Sequence, residues 1–275
     1  ALSFPMMLGS AIETLYNLTD AFFLGRIGTA EVGAPSIAFS IMFFLTVFGA
    51  GLSGAGTTLI AQSKGKADAD KMNHYMNQMT SLLLAASAVL AALGASVASP
   101  LLRILNTPGE VYGFALVYMR IIFFGIPCTF MYFALQASFT AMGDTATPIK
   151  VHLIAVGLNV ALDPVLIFGL GPIPAFGVAG AAMATVASQA VGAIMSFAVL
   201  RRGRAGLRLA AREMRPNARS WGLLLRIGLP ASVGQGLSAF GFTVLQGVVN
   251  TFGTAAIAAF GVGNRLMNMF DIPTH

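Results

Sequence analysis

Apolar runs of about 20 residues, each long enough to cross a hydrocarbon core of roughly 30 Å as a helix, recur along this chain with only short polar connections between them. No other feature constrains the fold as strongly. The runs fall at about 2 to 24, 34 to 61, 74 to 98, 113 to 137, 148 to 170, 176 to 200, 222 to 249 and 256 to 272, which predicts seven crossings and the start of an eighth. Hydrophobic residues make up 56% of the 275 and charged residues 9%, against roughly 25% charged residues in a soluble domain. Water is therefore not the main solvent. The runs lack the period-2 alternation of barrel strands, so the expected class is an all-α membrane protein. The 31 glycines and 14 methionines suit helices that approach closely and a cavity wall that can re-pack around different guests.

A net charge of +6 could suggest nucleic acid as a partner, but the basic residues sit in the connections, where they report topology. The connections 62 to 73, 143 to 150 and 201 to 226 hold twelve Lys and Arg residues, whereas those on the other face hold only Arg26 and Arg103. The positive-inside bias places the first set in the cytoplasm of a multi-pass inner-membrane protein, so that segment one runs outward. Cys128 is the only cysteine, which excludes an internal disulfide and a cysteine-based metal site. With acids at Glu13 and Asp20 and no charged leader, segment one is not expected to be a signal peptide.

The Arg-rich stretch 201 to 221 divides the chain into a six-helix lobe at 1 to 200 and a second portion at 222 to 275. A basic helix lying on anionic lipid and a plain interhelical linker both fit it. Beyond it the sequence repeats itself. A shift of 225 places Pro5 on Pro230, Gly9 on Gly234, Gly28 on Gly253, Thr29 on Thr254, Ala30 on Ala255 and Ala34 on Ala259 without a gap. Six segments separate the copies, an even number, so the repeat is parallel. Transporters built from such halves hold their substrate at membrane depth and rock one half against the other. Only helix seven and part of helix eight of the second lobe lie in these 275 residues, and we expect the sequence to be a fragment.

Ionisable groups inside a membrane are costly and tend to be functional, which directs attention to Asp20 and Asp163. At the helical rise Asp20 lies roughly 27 Å along segment one and Asp163 roughly 22 Å along segment five, so both belong to the outer half. Glu13, Asn17 and Asp20 are spaced by 4 and 3 and share a helix face; His152, Asn159 and Asp163, spaced by 7 and 4, do the same. Pro164 has no N–H, which frees the Val160 carbonyl beside the carboxylate. Thr185 and Gln189, spaced by 4 on segment six, complete the expected lining, with Tyr16 a candidate for stacking on an aromatic cation. Two carboxylates in one dry chamber repel when both are ionised, so uptake of a proton or a sodium ion there could be exchanged for a cationic guest. A solvated Asp20 ending its helix before Gly25 is the open alternative. Gln235, Gln246 and Asn250 on segment seven could face the same cleft or glue helices together. His74 and His152 read as solvated interface residues, and Arg120 and Arg265 as snorkelling or paired.

The run from Pro5 to Gly28, PMMLGSAIETLYNLTDAFFLGRIG, with NVALDP from Asn159 to Pro164, GVAGAAMAT from Gly177 to Thr185 and RIGLP from Arg226 to Pro230, resembles the multidrug and toxic compound extrusion (MATE) family, its prokaryotic members and their DinF-like branch in particular. The resemblance implies two parallel-related six-helix lobes, of which this chain carries the first plus helix seven and part of helix eight. It implies Asp20 as the coupling carboxylate of segment one, with Asn159, Asp163 and Thr185 as its partners and as the ligands of any bound Na⁺. It further implies a monomeric antiporter exporting small organic cations against H⁺ or Na⁺, embedded in membrane lipid, with no cofactor and no nucleic acid partner. Asp20 has Leu245 at its repeat position, so the two lobes cannot do identical chemistry.

A lipid-linked precursor flippase is the rival within the same superfamily and would need cationic groups to hold a pyrophosphate. The interior carries more carboxylates than bases, which argues for a cationic guest. A membrane enzyme would need a nucleophile beside a base; Cys128 has no histidine in its segment, so no enzyme is expected.

Overall fold

The computed structural model describes residues 22–105, 107–203 and 206–250, and its ordered elements are helices. Helix α1 is described over 22–25 only; α2 (Thr29–Gly65), α3 (Ala69–Ile104), α4 (Gly109–Ala141), α5 (Ala146–Phe168), α6 (Val178–Arg201) and α7 (Ala218–Asn250) follow. Each of the predicted segments two to seven is a helix. The helices overrun the apolar windows: α2, α3 and α4 have 37, 36 and 33 residues, or roughly 50 to 55 Å at 1.5 Å per residue. Helix formation continues into the polar flanks because backbone hydrogen bonding does not stop where apolarity stops. The connections shrink accordingly, and two of the expected loops are tight turns at 66–68 and 142–145. Among the described residues four helices, α3 to α6, are long and apolar enough to span a bilayer, and the chain is a multi-pass membrane protein.

Local chemistry sets the helix starts. Asp68 caps α3 by accepting from the Lys71 N–H at 3.0 Å, and its carboxylate pairs with Lys71 Nζ at 2.7 Å. Together these hold the Asp68 carboxyl below the usual carboxylate range. Asp144 plays the same part before α5, accepting from the Thr147 N–H at 3.0 Å and from its hydroxyl at 2.6 Å.

Helix α4 packs against α2, α3 and α6, while α5 packs chiefly on α6 and α7 on α2. The tightest approaches occur where side chains vanish. A Cβ on Gly180 of α6 would collide with the Leu166 carbonyl of α5 and sit 2.9 Å from Ile167 N. The connecting turn holds Gly169, Gly171 and Gly177 at φ of 80°, 61° and 54°, which L residues with a side chain rarely adopt. It is closed by Phe176 N–H to Leu166 C=O (3.0 Å) and Gly177 N–H to Ile167 C=O (3.1 Å). The crossing of α2 and α7 repeats the logic. A Cβ on Gly51 would lie 2.7 Å from Ser232 N, and one on Gly228 would lie 3.0 Å from Leu52 Cα, while Ser232 Oγ donates to the Phe48 carbonyl at 3.2 Å. Gly51 on α2, against Gly228 and Ser232 one turn apart on α7, lets the backbones meet.

The stretch between Arg201 and Ala218 is not a helix on lipid: among its described residues it runs as turns and extended chain strapped across the start of α3. Three amide side chains of α3 hold it. Asn73 Oδ1 accepts from the Arg208 N–H (2.7 Å) and Asn77 Oδ1 from the Ala210 N–H (2.8 Å), while Asn77 Nδ2 donates to the Arg208 carbonyl (3.1 Å). Gln78 donates to the carbonyls of Glu213 (2.6 Å) and Arg215 (2.8 Å) and accepts from the Asn217 N–H (2.9 Å). The amides satisfy strap groups that have no ladder partner, and Leu207 and Leu209 are buried beneath it. Asn217 then caps α7, accepting from the N–H groups of Arg219 and Ser220 at 3.1 Å each.

Candidate functional site

Many of the buried polar residues are hydroxyls that bond back to their own helix, as Ser188 does to Ala184 (2.7 Å) and Ser196 to Gly192 (2.7 Å), and the buried amides Asn77 and Gln78 hold the strap. One group differs. Asp163 is fully buried and, among the described residues, is the only buried Asp, Glu, Lys, Arg or His. It lies on α5 one turn beyond Asn159, also fully buried, and the two side chains meet as their spacing of four required. Asn159 Nδ2 lies 3.4 Å from Asp163 Oδ1. In the amide orientation that serves both of its neighbours, it donates to Asp163 Oδ2 (3.3 Å) and accepts from the Thr185 N–H of α6 (3.3 Å). Thr185, 4% exposed, closes the group. The Asp163 carboxylate, the Asn159 amide and the Thr185 backbone N–H thus form a buried polar cluster between two helices that glycine at 180 allows to touch.

An ionised carboxylate with no access to water is unfavourable by several kcal/mol unless a proton, a cation or donors compensate it. The amide of Asn159 supplies one donor. What the arrangement can do chemically is hold a proton or a small cation at the Asp163 carboxylate beside the Asn159 amide, and change its local charge by one unit in doing so.

Gln189 lies one turn further along α6, toward the strap end of the helix. Its Oε1 is buried with no hydrogen-bond partner, and it faces Gly125 of α4, where a Cβ would come within 2.9 Å of that oxygen. The spacing of four sets Gln189 one turn from Thr185, but its side chain points toward α4. The involvement of α4 was not legible in the sequence; a glycine in an apolar helix, Gly125, was the one available signal.

Glu13, Tyr16, Asn17 and Asp20 lie outside the described residues, as do the side chains of Gln246 and Asn250. Near them, the Phe23 ring contacts the Phe168 ring at 6.1 Å between centroids, joining the described end of α1 to the end of α5. Gln235 is exposed and lines a cleft of about 580 Å³ between α2 and α7 with Phe43, Thr46 and Ser238, apart from the Asp163 cluster. The histidines are half-buried and each has a partner on a second helix. His152 stacks on Tyr132 of α4 (5.3 Å, 28°), and His74 Nε2 lies 2.8 Å from Ser220 Oγ, because both sit where a second helix covers them. Arg120 is exposed, as a snorkelling residue would be. Among the described residues no three His, Cys, Asp or Glu side chains group to hold a metal.

Comparison with known proteins fits this geometry. The chain is 30% identical over 98% of its length to a probable multidrug resistance protein, YpnP, of Bacillus subtilis, and 27% identical over 98% to an FAD transporter of Shewanella oneidensis. It spans about 60% of the length of each. Among solved structures, a MATE protein in its bent conformation superposes with a TM-score of 0.87 at 26% identity, over 99% of this chain and 60% of that one. A MOP superfamily transporter from Pyrococcus furiosus, described as having a binding pocket of reverse polarity, superposes with a TM-score of 0.85 at 26% identity over the same shares. The MatE family model matches residues 5–165, a span that takes in the buried Asn159 and Asp163, and the chain belongs to that multidrug and toxic compound extrusion family.

Proposed function

We propose that the whole protein is a secondary antiporter that exports small organic cations in exchange for H⁺ or Na⁺, and that Asp163 with Asn159 and Thr185 forms its coupling site in the first lobe. The observation that carries this reading is the enclosure of a single acid, with no buried base among the described residues, inside a membrane lobe. A site of that polarity attracts a cation and repels an anion. When a proton or Na⁺ occupies it, the counter-charge for a cationic guest is lost, so the two cations compete for one carboxylate. Asp20 would join the same chamber. What supports this is the Phe23–Phe168 contact, three residues beyond Asp20 and five beyond Asp163 in sequence. Glu13, Asn17 and Tyr16 would extend the lining of that chamber along segment one.

Placement in the cytoplasmic membrane with the strap inside follows from the charge asymmetry of the connections. An anionic cargo, a nucleotide or a lipid pyrophosphate, would require buried basic groups, and the described part of the lobe offers none. The test is dye efflux from proteoliposomes holding the full-length protein, driven separately by imposed pH and sodium gradients. Asp163→Asn should abolish the dependence on one of the two gradients while protein yield and melting temperature stay near parental values. Full ion-driven efflux by that variant would overturn the assignment.

A further inference from the structure

The Arg-rich strap has a chemistry that the coupling site does not use. Residues 201 to 226 hold eight arginines against one acid, Glu213, a net +7 in a chain whose total is +6. The fold does not neutralise this charge. Glu213 is engaged from below, its Oε2 lying 3.3 Å from Asn77 Nδ2, and among the described residues no ion pair reaches any of the arginines. Lys64 and Lys71 on the same face are committed elsewhere, to the Met142 carbonyl (2.8 Å) and to Asp68 (2.7 Å).

The strap also has two sides. Leu207 and Leu209 are buried while Arg208 between them is exposed, as are Arg202, Arg212, Arg215 and Arg219. Sharp turns at Gly203 and Gly206, with φ of 74° and 78°, and the amide clamp of Asn73, Asn77 and Gln78 fix the backbone that carries them. Guanidinium groups on a pinned backbone lose less conformational freedom on binding than they would on a flexible linker. Both ends of the strap continue directly into helices, α6 at Arg201 and α7 at Ala218, so it lies at one end of the helix bundle, the end that the charge asymmetry of the connections assigns to the cytoplasmic surface.

We propose that this face of the strap binds anionic phospholipid headgroups of the cytoplasmic leaflet through their phosphates, so that the connection between the two lobes is tied to the membrane surface on one side and to α3 on the other. Planar guanidinium groups match phosphate oxygens in pairs. The inference is independent of the coupling chemistry at Asp163, since it needs only the strap.

The experiment uses the full-length protein reconstituted in phosphatidylcholine, with trace spin-labelled phosphatidylglycerol or spin-labelled phosphatidylcholine reporting the motionally restricted fraction by electron paramagnetic resonance. Each basic group near an anionic surface contributes about 1 kcal/mol, or about fivefold. The selectivity for phosphatidylglycerol should therefore fall at least about fivefold in the Arg208→Gln, Arg212→Gln, Arg215→Gln variant. Because loss of arginines can disturb insertion, a second measurement uses the unaltered protein, whose selectivity should collapse between 50 mM and 500 mM salt, where the Debye length shrinks several-fold. Equal restriction of both lipids by the parent would overturn the proposal, as would a selectivity that the variant and salt leave within about twofold. Binding of soluble polyphosphate without lipid selectivity would assign the surface to a soluble polyanion and would also refute it.

Discussion

Replacing Asn77 with leucine tests the clamp between strap and α3 most directly. The side chain is fully buried and serves two backbone groups of the strap, the Ala210 N–H at 2.8 Å and the Arg208 carbonyl at 3.1 Å, besides the Glu213 carboxylate at 3.3 Å. Leucine has similar volume and keeps α3 helical, so the change removes hydrogen bonds without opening a large cavity. A buried backbone group left without a partner costs about 1 to 3 kcal/mol. The strap is partly hydrated, which favours the low end for each group, so the closed strap should lose about 2 kcal/mol. That raises the population of the open strap by roughly 30-fold at 1.4 kcal/mol per decade. Amide hydrogen exchange followed by mass spectrometry reads this population. Peptides covering 207 to 217 should exchange roughly 30-fold faster in Asn77→Leu, while the Thr147 amide, held by Asp144 in the next connection, should keep its parental rate. Protection of the strap within about threefold of the parent would mean that the amide ladder does not hold it, and the account of a pinned strap would fail.

Gly180→Ala should be among the most damaging small substitutions. The added methyl meets the Leu166 carbonyl and Ile167 N, backbone atoms that cannot rotate away. A loss of about 1 to 3 kcal/mol is expected, visible as a lower melting temperature in detergent, and an unchanged melting temperature would show that α5 and α6 can separate freely. Gly51→Val should weaken the α2 and α7 crossing for the same reason, since Ser232 N would sit 2.7 Å from its Cβ; thermal unfolding compared with Gly54→Val, where nothing lies within 4 Å, isolates the effect. The Asp68 cap predicts a pH dependence of known sign. Its carboxyl titrates below its ordinary value of 3.8 in the folded protein, so the stabilisation is complete above that value and is lost as pH falls through the lowered one. Exchange of the Lys71 amide, corrected for its intrinsic rate, should be flat from pH 7 to 5 and rise only below 3.8; a rise near pH 6 would refute the cap.

Much of this molecule was determined by the sequence alone. The number and order of the described helices follow from apolar runs that no water-soluble fold could bury, and the Asn159–Asp163 pair follows from a spacing of four on a helix, which fixes two side chains on one face whatever surrounds them. Loop lengths were misjudged because apolarity marks the membrane, whereas helices end where capping groups and glycines end them, at Asp68, Asp144 and Gly169. Tertiary structure alone decided the rest. That Asp163 is enclosed depends on α6 lying close enough for the Thr185 N–H to reach Asn159, an approach set by Gly180 against Leu166. That the basic stretch is a strap and not a helix depends on amides of α3 that stand 131 to 139 residues away along the chain. Local spacing shows which groups share a face of one helix. The partner that covers that face is chosen by packing between distant elements, and for this reason the α6 neighbour of the acid at 163 and the pinned strap emerged only from the fold.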